Sequence, residues 1–274
     1  MNTEKKYIFT GSSSVQLFEP LKTQLNIKIC RYPAVSIKDI VDKNLSYSKL
    51  VNTINKNYYS DIIFNFGVID VNFNYYCEKY LKNNKNIFEK MKIYVVEYVK
   101  LISELNIKNK HILGITPSFI KSKYFKSMLL KYLPYNFNEN NINLIPDSDC
   151  KSIARNLRIV ELNNIIKTEC NKYKINYCDI YNETTINNKG NKIFRLNHKS
   201  NDIHPKYEYL LLIYLNKCFK YINNKLDYEK LLDLLESNYN NYLKKSFNKN
   251  NIDIYYLKKF NKKQILNFIN KLKF

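Results

Sequence analysis

The stretch Tyr7-Ile8-Phe9-Thr10-Gly11-Ser12-Ser13-Ser14 is a short apolar run that ends in a glycine and three hydroxyl side chains. The chain has only four glycines in 274 residues, and three of them follow runs of this kind. They are Gly11, Gly67 after Ile62-Ile63-Phe64-Asn65-Phe66, and Gly114 after Ile112-Leu113. Glycine this scarce is positional. A chain leaving a buried parallel strand needs a residue without Cβ where it turns sharply or lets backbone N–H groups approach a ligand. The neighbours of these glycines carry the chemistry. Gly67 is followed by Val68-Ile69-Asp70, and far downstream stands Asn201-Asp202-Ile203-His204-Pro205. A hydroxyl, a carboxylate and an imidazole therefore fall at expected loop positions.

Outward from these points, strand-like runs alternate with helical patterns, the signature of an α/β protein with a parallel sheet. The expected strands are Tyr7–Thr10, Ile27–Cys30, Asp61–Phe66, His111–Ile115 and Ile175–Ile180. Between them, Phe88–Leu105 places Met91, Val95, Val96, Val99, Ile102 and Leu105 on one stripe. Ser152–Tyr173 does the same with Ile153, Leu157, Val160, Leu162, Ile165 and Ile166. Pro205 starts a further helix through Tyr209, Leu212, Ile213, Leu215 and Phe219. Five strands with right-handed helical crossovers predict a three-layer α/β/α sandwich whose strand-end loops share one edge, where ligands bind. Lys121–Cys150 reads as a helix and a surface excursion, and Asn182–Lys199 as a flexible polar wall over the site with a turn at Gly190. From Asp227 the alternation stops, and two basic amphipathic helices are expected to pack back on the main domain.

Composition narrows the partners. The 45 lysines and arginines against 24 acidic residues give a net charge of +21, which invites a nucleic-acid reading. That reading is not favoured: arginine stands only at Arg31, Arg155, Arg158 and Arg195, and lysine is scattered among abundant Asn, Ile, Tyr and Phe. No apolar run reaches the ~18 residues of a membrane span. The opening Met1-Asn2-Thr3-Glu4-Lys5-Lys6 leaves no room for a secretory apolar segment before the first strand, so a cytoplasmic location is expected. Cys30, Cys77, Cys150, Cys170, Cys178 and Cys218 form no C-x-x-C pair or zinc spacing and are expected as free, mostly buried thiols. His111 and His198, without partners at ligand spacing, are expected to be structural or surface residues.

Gly11-Ser12-Ser13, Gly67-Val68-Ile69-Asp70 and Asn201-Asp202-Ile203-His204-Pro205 resemble, in order and spacing, the motifs of the SGNH or GDSL-type hydrolase superfamily. The resemblance covers about residues 6–222. It implies a flavodoxin-like five-stranded sheet in an α/β domain over residues 1–225, and leaves the C-terminal helical extension over 226–274 unexplained. It also implies a serine esterase or deacylase without cofactor or metal, acting on a small O-acyl ester such as an acetylated sugar. Ser13 matches the nucleophile, with Ser12 and Ser14 as rivals, and His204 matches its base. Helix capping is the structural alternative for these serines. Ala34, in Arg31-Tyr32-Pro33-Ala34-Val35-Ser36, is the best match for the family's lone glycine and an oxyanion N–H.

Two departures stand out. Ile69 occupies the place of the oxyanion-hole asparagine, which leaves Asn72 as the amide that would reach inward. Asn201 occupies the place of the triad aspartate, with Asp202 one position later; asparagine orients an imidazole without stabilising its cation. Asp70 keeps the motif's acid, with a loop-tying role as the alternative to chemistry. The rival readings are a non-catalytic member of the fold that binds a glycan or protein, and a nucleic-acid-associated protein using the basic C-terminal helices. Oligomeric state is not legible.

Overall fold

The computed structural model describes residues 5–56, 58–188, 191–194, 207–223, 225–227 and 229–237. Five strands, β1 (Tyr7–Gly11), β2 (Ile27–Arg31), β3 (Asp61–Asn65), β4 (Asn109–Leu113) and β5 (Asn176–Cys178), pair in the order β2-β1-β3-β4-β5, every pair parallel. Each overlaps one of the five runs expected from sequence. Because β2 and β3 flank β1, right-handed crossovers send the connections leaving β1 and β2 over opposite faces. The first crossover is a 3-10 helix, Ser13–Thr23. The others carry α1 (Ile37–Val41), α2 (Leu45–Asn55), α3 (Ile87–Ser103), α4 (Phe125–Tyr132), α5 (Asp147–Cys150) and α6 (Ser152–Lys172). After β5 come α7 (Tyr207–Lys217) and α8 (Lys220–Asn223).

Side chains alternate across each strand, so the sheet supplies two cores. Ile8, Ile62, Phe64 and Ile112 pack with Met91, Val95 and Val99 of α3 and with Ile159, Leu162 and Ile166 of α6. Phe9, Ile63 and Leu113 face the other way, against Phe18 and Leu21 of the 3-10 helix and Leu211 and Tyr214 of α7. Leu231, Leu232 and Leu235 join this second core, so the beginning of the expected extension packs on the α/β domain.

Three expectations are corrected. In α6 the buried face is Arg155, Asn156, Ile159, Leu162, Asn163, Ile166 and Cys170, while Ile153 and Leu157 are 61% and 64% exposed. The helix is rotated because polar side chains are recruited inward to hold a loop. The free-thiol expectation fails for two cysteines: Cys178 and Cys218 form a disulfide, their Cα atoms 5.5 Å apart. The polar segment after β5 contains an antiparallel hairpin, β6 (Thr185–Asn188) with β7 (Asn191–Phe194); the expected turn at Gly190 lies outside the described residues. Among the described residues no helix is long and apolar enough to cross a membrane.

Candidate active site

The site is set by where the strands end. Gly11 closes β1 so near β3 that a Cβ there would stand 2.4 Å from the Asn65 carbonyl oxygen, which accepts instead from the Ser12 N–H at 3.2 Å. Only glycine allows that approach. Gly67, two residues past β3, has φ +107°, and an added Cβ would meet Ile115 at 2.6 Å. These two turns bring the loops after β1 and β3 together where the outgoing connections diverge, the crevice in which open α/β sheets bind ligands.

The three serines separate by geometry. Ser12 is 1% exposed and its Oγ lies 3.2 Å from that of Ser14, which is half-buried. Ser13 is half-buried and opens the 3-10 helix, where the first N–H groups lack intrahelical partners. Ser12 sits at the cap position without a side-chain capping bond, so capping does not account for its hydroxyl. In the loop after β2, Ala34 holds φ 61°, the left-handed backbone that a glycine adopts freely.

Asp70 is held by backbone. Its Oδ2 accepts from the Ile37 N–H at 2.8 Å, fastening the loop after β3 to the first turn of α1. Ser36 caps that turn in a reciprocal box with Asp39. Burial pushes the Asp70 carboxyl up to about 7, against the backbone N–H groups of Ile37, Lys38 and Asp70 that favour its charge. Ile69 is buried in the apolar core. Asn72 is consumed elsewhere: its amide donates to the Val68 carbonyl at 3.1 Å and its Oδ1 accepts from Ser118 Oγ at 2.8 Å.

Sequence reasoning missed the supports of the loop after β4. Asn163 accepts from the Ile115 N–H at 2.7 Å and donates to the Ile115 carbonyl at 3.0 Å. Asn156 Oδ1 accepts from the Ser118 N–H at 2.9 Å, and Arg155 Nε donates to Ser118 Oγ at 2.9 Å. It also missed Asn65, last in β3. That side chain is 3% exposed, its amide nitrogen has no hydrogen-bond partner, and its Cβ is 3.0 Å from where one on Gly11 would be. The signal was present, because an amide inside an apolar run, one residue before Phe66-Gly67, is out of place in a buried strand. Asn201, Asp202, His204 and His198 lie outside the described residues. No group of three or more His, Cys, Asp or Glu able to hold a metal occurs among the described residues.

No family model matches the chain, and no curated protein matches it. Its fold is similar to that of a candidate acylhydrolase from Bacteroides fragilis NCTC 9343, at 14% identity and TM-score 0.52, over 82% of this chain and 89% of that one. Looser likenesses extend to a candidate platelet activating factor protein from Streptococcus pneumonia (12% identity, TM-score 0.48, 81% of this chain and 85% of that one) and to the acetyl xylan esterase AlAXEase (18%, 0.38, 65% and 78%). The chain shares its fold with the Bacteroides fragilis protein, a three-layer α/β/α sandwich on a five-stranded parallel sheet.

Proposed function

We propose that the chain is an SGNH-type serine esterase or deacylase in which Ser13 forms an acyl-enzyme and His204 acts first as base and then as acid. The observation that carries this reading is Ser13 at the start of its helix, in the crevice between the Gly11 and Gly67 turns. A second observation supports the approach of His204. The helix α7 begins three residues after it and packs on the Ser13–Thr23 helix, with the Phe18 and Tyr214 rings 5.7 Å apart. Beyond the C-terminal end of α7, the Tyr221 hydroxyl lies 3.4 Å from His111, near the beginnings of the strands. This supports a first turn of α7 at the opposite edge, where Ser13 stands.

In this mechanism the Ser13 hydroxyl attacks the acyl carbon as its proton passes to His204, and the backbone N–H groups of Ser13 and Ala34 hold the oxyanion. Asn65 supplies the side-chain donor that Ile69 cannot, since its amide has no other partner. Asn201 or Asp202 orients the imidazole. His204 then protonates the leaving alcohol and activates the water that releases the acid. A small O-acyl ester, such as an acetylated sugar, follows from the family resemblance. Ile69 and Asn201 favour one rival, a non-catalytic member of the fold that binds a glycan or protein partner.

A fluorophosphonate probe decides between them. The hydrolase gives an adduct mapped to Ser13 and turns over p-nitrophenyl acetate, and both are lost in Ser13→Ala. Folded protein with no adduct, and with turnover no greater than that of Ser13→Ala, means that the binding protein is correct.

A further inference from the structure

A cavity of about 560 Å³ opens at the edge where the strands begin, away from the serines, with Asp61, His111, Asn176, Phe219 and Tyr221 in its wall. Asp61 opens β3 and His111 lies in β4. They sit 3.1 Å apart, Asp61 Oδ1 to His111 Nε2, and the Tyr221 ring stacks on the imidazole at 5.8 Å. Sequence reading gave His111 no partner; its partner lies fifty positions away, across a strand pair.

The pair leaves something unfinished. Asp61 is 3% exposed, yet its Oδ2 has no hydrogen-bond partner. Ser60, Asn109 and Tyr221 lie near enough to act on the carboxyl, but none completes a bond to that oxygen. A buried carboxylate oxygen without a donor is costly, and a donor arriving from the cavity would satisfy it. The wall also constrains the ligand's charge. Asp61 and Asp179 oppose an anion, Lys5 and Lys217 oppose a cation, and Phe219 and Tyr221 offer ring surface for an apolar face.

We propose that this cavity is a second binding site, for a neutral polyhydroxylated ligand of the carbohydrate class, with Asp61 Oδ2 accepting from a ligand hydroxyl. Hydroxyls donate without net charge, and the C–H faces of a sugar ring suit the aromatic wall. The site is independent of the reading of the serine edge.

Saturation-transfer NMR on the full chain carrying Ser13→Ala, with glucose, xylotriose, glucose 6-phosphate and glucosamine as probes, tests it. The neutral sugars are expected to show transfer with a Kd of ~1 mM, and the charged ones to bind more weakly. Asp61→Asn keeps an oxygen for His111 but loses the charge-assisted acceptor, and should weaken binding by ~10-fold or more. Should that variant fail to fold, Asn176→Met, at an exposed position on the wall, narrows the cavity and should abolish transfer with an unchanged melting temperature. Absence of transfer to both neutral sugars, preference for a charged probe, or transfer undiminished in folded Asn176→Met overturns the proposal. None of these outcomes bears on the fluorophosphonate result at Ser13.

Discussion

Asn65, last in β3, and Asp70, five positions further on, are both buried polar residues, and their hydrogen bonds differ. The Asn65 amide has no partner and lies beside Gly11, whereas Asp70 is bound to the first turn of α1. Removing one oxyanion donor typically costs ~10²–10³ in rate. Asn65→Ala should therefore lower kcat for p-nitrophenyl acetate by about that factor with little change in KM, while Ser13 still takes the fluorophosphonate label. An equal rise in KM with kcat intact would instead make Asn65 a ground-state contact. Asp70 should act on stability. Its carboxyl is raised from 3.8 to about 7, so between those pH values the folded state holds a proton that the unfolded state has released. Stability from this group is then complete below the lower value and declines as pH rises through the window. Asp70→Asn retains an oxygen for the Ile37 N–H and cannot ionise. Its melting temperature relative to the parent should rise from pH 4 to pH 7 and level off above, within the 3.8 to about 7 window; a flat difference would contradict the burial of a protonated acid.

At the scale of elements, sequence and structure part company over α6, and the reason is specific. Periodicity finds the apolar stripe but is blind to polar side chains that are buried because they have backbone partners. Asn156, Asn163 and Arg155 turn inward to hold the loop after β4, and Ile153 and Leu157 are displaced to the surface. The stripe of α3 was legible because its buried face is apolar, with Met91, Val95, Val99 and Ile102 all inside. Asn163 makes the clearest test. Truncation to alanine would orphan both the N–H and the carbonyl of Ile115 in a buried setting. At ~1–3 kcal/mol for each unsatisfied group, Asn163→Ala should destabilise the protein by about 3 kcal/mol in urea unfolding with an unchanged m-value. A cost within ~0.5 kcal/mol, typical of surface changes, would show that the loop stands without this support.

For the whole molecule, the edge at which the strands end was legible because glycines mark it, and a glycine demanded by close backbone approach cannot be replaced without disturbing the sheet. The paired loops of the candidate site followed from the same signal. Ala34 was placed only by resemblance, and its left-handed backbone shows only in the structure; Asn65 was not placed, since it stands out through an unfilled hydrogen bond and not through a motif. Cysteine pairing was not legible at all, because spacing does not specify connectivity. The Cys178–Cys218 bridge joins the end of β5 to the residue following α7, across 40 positions. Closing a loop of that length removes unfolded-state entropy worth ~4 kcal/mol in the chain-entropy account. At roughly 2–4 °C per kcal/mol for a chain of this size, reduction should lower the melting temperature by about 10 °C. The measurement is a thermal melt with and without dithiothreitol, on the parent and on Cys178→Ala/Cys218→Ala. Only the parent should respond to reductant, and its reduced melt should fall near that of the double variant. Because α7 is the element that follows His204, the same treatment should also slow p-nitrophenyl acetate turnover if the bridge holds that helix in register. Loss of stability with turnover intact at a temperature where the reduced protein remains folded would confine the disulfide to holding the C-terminal end of α7.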